Sequence, residues 1–208
     1  MPETSPAVPT KQRILDAAVE VFTRQGYAAT TTRDVAAAAG VNIATLHYHH
    51  RSKEELFGTV AARAMKRFNA VFDEVHAASA DVRDFLRRFV GAYTELLLEY
   101  PYLAGFIQHE SERAPAQFME YVDFARWSRE MDALVRADPE VRAGGEHFAG
   151  HLVANMVGAL IYPFLFKTTT MLEFGMSEES WEGFVRERKR VIVAMVEGWL
   201  YSRSADSA

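Results

Sequence analysis

Residues 31–56, TTRDVAAAAGVNIATLHYHHRSKEEL, read as two short helices joined by a tight turn, followed by a third helix that opens at a serine cap. The first helix, residues 33–39, has a polar start and then small apolar residues that allow close helix packing. Gly40 supplies the left-handed backbone that ends it. The second, residues 44–50, carries Thr45, His47, Tyr48 and His49, side chains suited to phosphates and base edges. That is helix-turn-helix geometry, with the second helix offered to a major groove. It points to DNA, a partner class that nothing else in the sequence names.

Upstream, Ile14, Leu15, Ala18, Val21 and Phe22 form one apolar stripe at helical spacing, so residues 10–25 are expected to be an amphipathic helix. Thr10 is the expected cap and Gly26 the expected terminating residue. Thr31 with Asp34, and Ser52 with Glu55, have the form of capping boxes. The second box opens a long helix that runs from Lys53 towards Ala78.

The 208 residues are 49% apolar and 25% charged, the mixture of an ordinary globular chain. The absence of cysteine excludes disulfides, thiolate metal sites and cysteine nucleophiles. The start, MPETSPAVPT, has no apolar core of a signal peptide and reads as a loose arm. The longest apolar segment, residues 152–166, is shorter than a membrane span requires and contains Asn155 and Pro163. A cytoplasmic protein without a membrane partner is therefore expected. The net charge of −5 argues against nucleic acid at first, but up to Leu56 the acidic and basic residues balance, six of each. Binding should thus depend on local docking more than on bulk attraction.

Beyond Asp81 the helical period continues. Residues 85–97 form a helix closed by Tyr100-Pro101, and residues 102–112 another that ends before Ala114-Pro115. Residues 116–137 form an aromatic helix, and residues 138–145 a loop. Residues 146–166 are apolar almost all round, with Gly150, Ala154 and Gly158 at every fourth position. Residues 177–201 carry a long apolar stripe. No segment alternates like a strand, so the chain is expected to be all-α with about nine helices. Residues 1–9 would be a flexible arm, 10–56 a three-helix helix-turn-helix domain, and 57–208 a helical ligand-binding and dimerisation domain.

The last two helices fit a four-helix bundle made by two copies of the chain. Leu152, Met156, Leu160, Val185, Ile192, Val196 and Trp199 are the expected interface; packing inside one chain is the alternative. Phe118, Tyr121 and Trp127, flanked by Phe106, His109, Glu110, His151 and Asn155, are the candidates to line a ligand cavity, with plain core as the alternative. An apolar or aromatic ligand suits them best. His47 and His50 are spaced to share a helix face, but no carboxylate or cysteine completes a metal set, so no metal and no cofactor is expected. His47 and His49 are assigned to groove or phosphate contact and His50 to packing. Enzymatic motifs are absent: His109-Glu110 lacks the second histidine of a zinc motif, and no glycine-rich phosphate loop or nucleophile elbow occurs.

Thr31-Thr32-Arg33-Asp34-Val35-Ala36, Gly40-Val41, Thr45-Leu46, Tyr48-His49 and Ser52-Lys53-Glu54-Glu55-Leu56 resemble the N-terminal signature of TetR-family (tetracycline-repressor-like) transcriptional regulators. The stripe from Ile14 to Phe22 with Gly26-Tyr27 is similar to that family's first helix. The resemblance implies a homodimer with two DNA-binding heads and a helical body, most members repressing until a small molecule releases them. It implies that Thr32 and Arg33 meet the DNA backbone and nearby bases. Ile43, Ala44 and Thr45 would face the groove, and Tyr48, His49 and Lys53 the phosphates. This chain departs from the family in two places: His47 stands where a tyrosine is usual, and His50 where a phenylalanine usually packs. A helical small-molecule-binding or scaffold protein without DNA-regulatory activity is the alternative.

Overall fold

The computed structural model describes residues 8–141 and 147–202. Most of the expected arm, part of the loop at 138–145 and the expected helix start at Glu146 lie outside the described residues. Among those described there are eleven helices and no strand. They divide into two compact units, 1–65 and 66–208.

The first unit holds α1 (Thr10–Ala29), α2 (Thr32–Ala38), α3 (Ile43–His49) and the first part of α4 (Lys53–Ala78). The α1 stripe buries Ile14, Ala17, Ala18, Val21 and Phe22 as its spacing demands. Thr10 is not the cap: it is the first helical residue, Pro9 precedes it, and no side chain caps this end. Gly26 does break the helix, at φ 73 and ψ 170, and a further turn follows it. Thr30 closes that turn by donating its hydroxyl to the Gly26 carbonyl at 2.7 Å. Phe57 of α4 packs its ring 4.8 Å from Phe22 and 4.4 Å from Tyr27, so the unit extends past Leu56.

The second unit continues with α5 (Val82–Glu99), α6 (Tyr102–Arg113), α7 (Pro115–Tyr121), α8 (Phe124–Ala137), α9 (Phe148–Leu165), α10 (Lys167–Phe174) and α11 (Glu178–Ser202). Two differences raise the helix count above nine. The aromatic helix expected over 116–137 is two helices, because Val122 is extended and fully buried and Asp123 caps a new start through the Arg126 N–H at 2.8 Å. The Asn69 side chain donates to the Tyr121 carbonyl at 2.6 Å and so satisfies one of the groups freed by the break. The second difference, α10, buries no residue and therefore leaves no period to read.

An aromatic stack fills the core of this unit. Phe72 lies parallel to Trp127 at 4.3 Å, and Phe68 meets Trp127 at 5.2 Å and Tyr93 at 4.5 Å. The Tyr93 hydroxyl donates to the Phe68 carbonyl at 2.7 Å, and burial pushes its phenol well above the ordinary range. Among the described residues α9 alone is long and apolar enough to cross a membrane, with a mean hydropathy of 1.5 over its 18 residues. It nevertheless packs against α5, α6, α8, α10 and α11, which makes it a core helix with one side left over.

Candidate nucleic-acid interface

The α2–turn–α3 segment is held by polar devices at nearly every joint. Thr31 and Asp34 form a complete capping box: the Thr31 N–H donates to the Asp34 carboxylate at 2.8 Å, and the Asp34 N–H to the Thr31 hydroxyl at 3.2 Å. The hydroxyl and the backbone N–H of Thr31 hold that carboxyl below its usual range. At the other end, Gly40 N–H donates to Ala37 and Val41 N–H to Ala36, the paired bonds of a Schellman turn, with Gly40 at φ 63. Arg13 reaches across from α1 and donates to the Ala39 carbonyl at 2.7 Å and the Gly40 carbonyl at 3.2 Å.

The turn delivers Asn42, whose side chain accepts the Thr45 N–H at 2.7 Å and starts α3 one residue earlier than expected. Leu46 is fully buried and anchors the helix. Ile43, Ala44, His47 and Tyr48 are exposed, with Tyr48 85% accessible. Thr45 and His49 are half-buried, and the Tyr48 and His49 rings meet edge to face at 5.2 Å. At the start of α2 Thr32 is half-buried and Arg33 exposed. Six of the residues assigned to DNA therefore lie on α3, four of them exposed, while Thr32 and Arg33 start α2 and Lys53 starts α4.

Ser52 caps α4 by accepting the Glu55 N–H at 3.2 Å, while the Glu55 carboxylate accepts the Arg51 N–H at 3.1 Å. Lys53 is not fully free for phosphate: its ammonium stands 4.2 Å from the Tyr27 ring centre and donates to the Ala28 carbonyl at 3.4 Å. The Arg33 and Arg51 side chains pair with no carboxylate among the described residues. Arg51 and the bracing Arg13 escaped the sequence reading; the unpaired charge beside the α4 cap and the 26-residue reach to Ala39 were their only signals. His47 is exposed and His50 buried, so the two do not offer one ion a shared face. Among the described residues no group of three or more His, Asp or Glu side chains is placed to hold a metal.

The candidate ligand residues divide in two. Phe106, Glu110, Phe118 and Trp127 are buried and Tyr121 half-buried, with the Phe106 and Tyr121 rings 6.1 Å apart. Arg113 holds the Glu110 carboxylate with two hydrogen bonds, and His109 stands 3.8 Å from it. His151 and Asn155 instead point outward on α9. The expected dimer face needs correcting. Leu152, Met156, Leu160, Val185, Ile192 and Val196 are all buried within the chain, and Trp199 stacks on Phe148 at 4.9 Å. Their stripe packs α9 against its own neighbours within the chain, so these side chains are not the ones exposed to a second copy.

A helix pinned at its cap, anchored by one leucine and bare on its outer face defines a helix-turn-helix unit. Residues 14–60 match the family model described as bacterial regulatory proteins, tetR family. Through this segment the chain is similar to the N-terminal domain of the tetR family. It is 28% identical over 115 residues to an uncharacterized HTH-type transcriptional regulator, YvkB, of Bacillus subtilis (strain 168), covering 55% of this chain and 57% of that protein. It is 37% identical over 51 residues to the HTH-type transcriptional regulator AcrR of Shigella flexneri, covering 24% of each. The chain thus spans about a quarter to a little over half the length of such curated relatives. Among solved structures, the transcriptional regulator FadR of Bacillus subtilis in complex with stearoyl-CoA shares the fold, with a TM-score of 0.63 at 17% identity over 89% of this chain and 96% of that one. The relatives are named as transcriptional regulators, not enzymes.

Proposed function

We propose that the chain is a homodimeric transcriptional regulator of the bacterial cytoplasm, a repressor that a small, mainly apolar ligand releases from a palindromic operator. The exposed face of α3, made by Ile43, Ala44, His47 and Tyr48 on a helix fixed from below by Leu46, carries this reading. Side chains so placed enter a major groove, while Thr32, Arg33, His49 and Lys53 meet phosphates at its edges. Lys53 reaches a phosphate by leaving the Tyr27 ring, a contact worth little at an exposed site.

The body offers the other two functions. Gly150, Ala154 and Gly158 lie on the outer side of α9 with Tyr162 and Leu165, and Val191 and Met195 are exposed on α11. Small residues beside exposed apolar ones suit close approach by the same two helices of a second copy. Our reading puts the ligand at the aromatic core, where Trp127 Nε1, Asn69 Oδ1 and Glu130 Oε2 are buried without hydrogen-bond partners among the described residues. Such atoms favour a ligand that is apolar over most of its length and polar at one point. The ligand releases DNA only by binding one state of the body more tightly than the other. Helix α4 contributes residues to both units and supplies the covalent path between them.

Fluorescence anisotropy with a duplex from the region upstream of the coding sequence tests the proposal. Saturable binding that a hydrophobic compound reverses, in a panel that includes an acyl-CoA, is the expected result. A ligand that binds the protein while no duplex does would support the scaffold reading instead.

A further inference from the structure

His50 ends the recognition helix in an extended conformation, its N–H donating to the Leu46 carbonyl at 2.8 Å. Its ring is only 2% exposed, and neither Nδ1 nor Nε2 has a hydrogen-bond partner among the described residues. Thr30, the other buried polar residue of this unit among those described, does have one. A buried imidazole in that state is tolerated while neutral, because its charged form would lose its hydration with nothing to replace it. The groups facing it do not supply a replacement. Glu55 of α4 lies 3.9 Å from Nδ1, beyond hydrogen-bond reach, and its other oxygen already serves the Arg51 N–H. Lys11 of α1 and His49 of α3 oppose a further positive charge. Burial, outweighing the attraction of Glu55, holds the imidazole below its usual range.

We propose that His50 is a proton-operated release of the DNA-binding head: neutral, its ring completes the packing under α3; protonated, it leaves that site and the end of the recognition helix loosens. The proposal rests on reading α3 as the recognition helix. The direction follows from linkage. Above the usual imidazole value of about 6.5, folded and unfolded chains both hold a neutral ring and the head has its full stability. As pH falls below that value the unfolded chain takes the proton first, so stability is lost progressively towards the lower folded value.

Hydrogen exchange on the full chain without DNA, read at about pH 7.5 and about pH 5.5 and corrected for the intrinsic rate, tests it. In the wild type, protection of α3 amides should fall in acid while α9 amides keep theirs. His50→Phe should abolish the fall, and Glu55→Gln, which keeps an acceptor for Arg51, should deepen it. Equal protection of α3 at both pH values in the wild type, or the same loss in His50→Phe, would overturn the proposal. If His50→Phe does not fold, Glu55→Gln decides, and a loss no deeper than wild type counts against the release. DNA is absent throughout, so failure of the chain to bind an operator is a separate result.

Discussion

Helices α3 and α9 are held in place by opposite means. α3 has seven residues, buries one leucine, and owes its position to Asn42, to the Gly40 turn and to Arg13. α9 has eighteen residues, no side-chain cap, an internal proline, and seven buried apolar positions. The first is ordered by directional bonds that cost little surface, which leaves most of its circumference free to meet a partner. The second is ordered by non-directional burial along one side and leaves an exposed strip that carries Gly150, Ala154 and Gly158 beside His151, Asn155, Tyr162 and Leu165. A recognition element and a scaffold element thus differ in what a single substitution removes: geometry from one, volume from the other.

Substitutions can sharpen that contrast. The largest effect is expected from Leu152→Ala on α9, a fully buried position, which should lower stability by about 2–5 kcal/mol in chemical denaturation. As a core residue it should do so equally at all protein concentrations; a loss that vanished at high concentration would return Leu152 to the dimer face. Leu46→Ala in the head should cost a similar or smaller amount, about 2–4 kcal/mol, and remove DNA binding at temperatures where the body remains folded by circular dichroism. Asn42→Ala deletes one cap bond and should cost about 1 kcal/mol, read as faster exchange of α3 amides. Smallest in stability is Lys53→Ala, which should weaken binding to every duplex and shallow the salt dependence by about one unit. Substitution of Thr45 should change site preference instead, and a uniform loss from both would break the division between phosphate and base contacts. On the outer strip, Met195→Glu should dissociate dimers in analytical ultracentrifugation with little change in far-ultraviolet circular dichroism, because Met195 is 52% exposed within the chain.

The same contrast explains what could be read in advance. In the head, Thr31, Gly40 and Ser52 act within four residues of their partners, so the string itself carries their geometry, and the boundaries of α2 and α4 follow. Arg13 does not belong to that class, since its bonds close a long sequence separation. In the body, an apolar helix has no polar side to declare which way it faces. Leu152 and Gly158 look alike as interface candidates, and packing alone sends one inward and the other outward. The break at Val122 was hidden for a related reason: a buried valine fits the helical stripe as well as it fits a kink. His50 showed as an oddity of sequence, and its meaning appears only with its burial.

Chemical footprinting on the upstream duplex tests the central claim most directly, since it reads both heads at once. Two protected blocks related by a dyad, their centres about 10–10.5 base pairs or a multiple apart, and lost together in Leu46→Ala, are expected. One block without a dyad partner, or protection that survives Leu46→Ala, would contradict a two-headed regulator that reads DNA through α3.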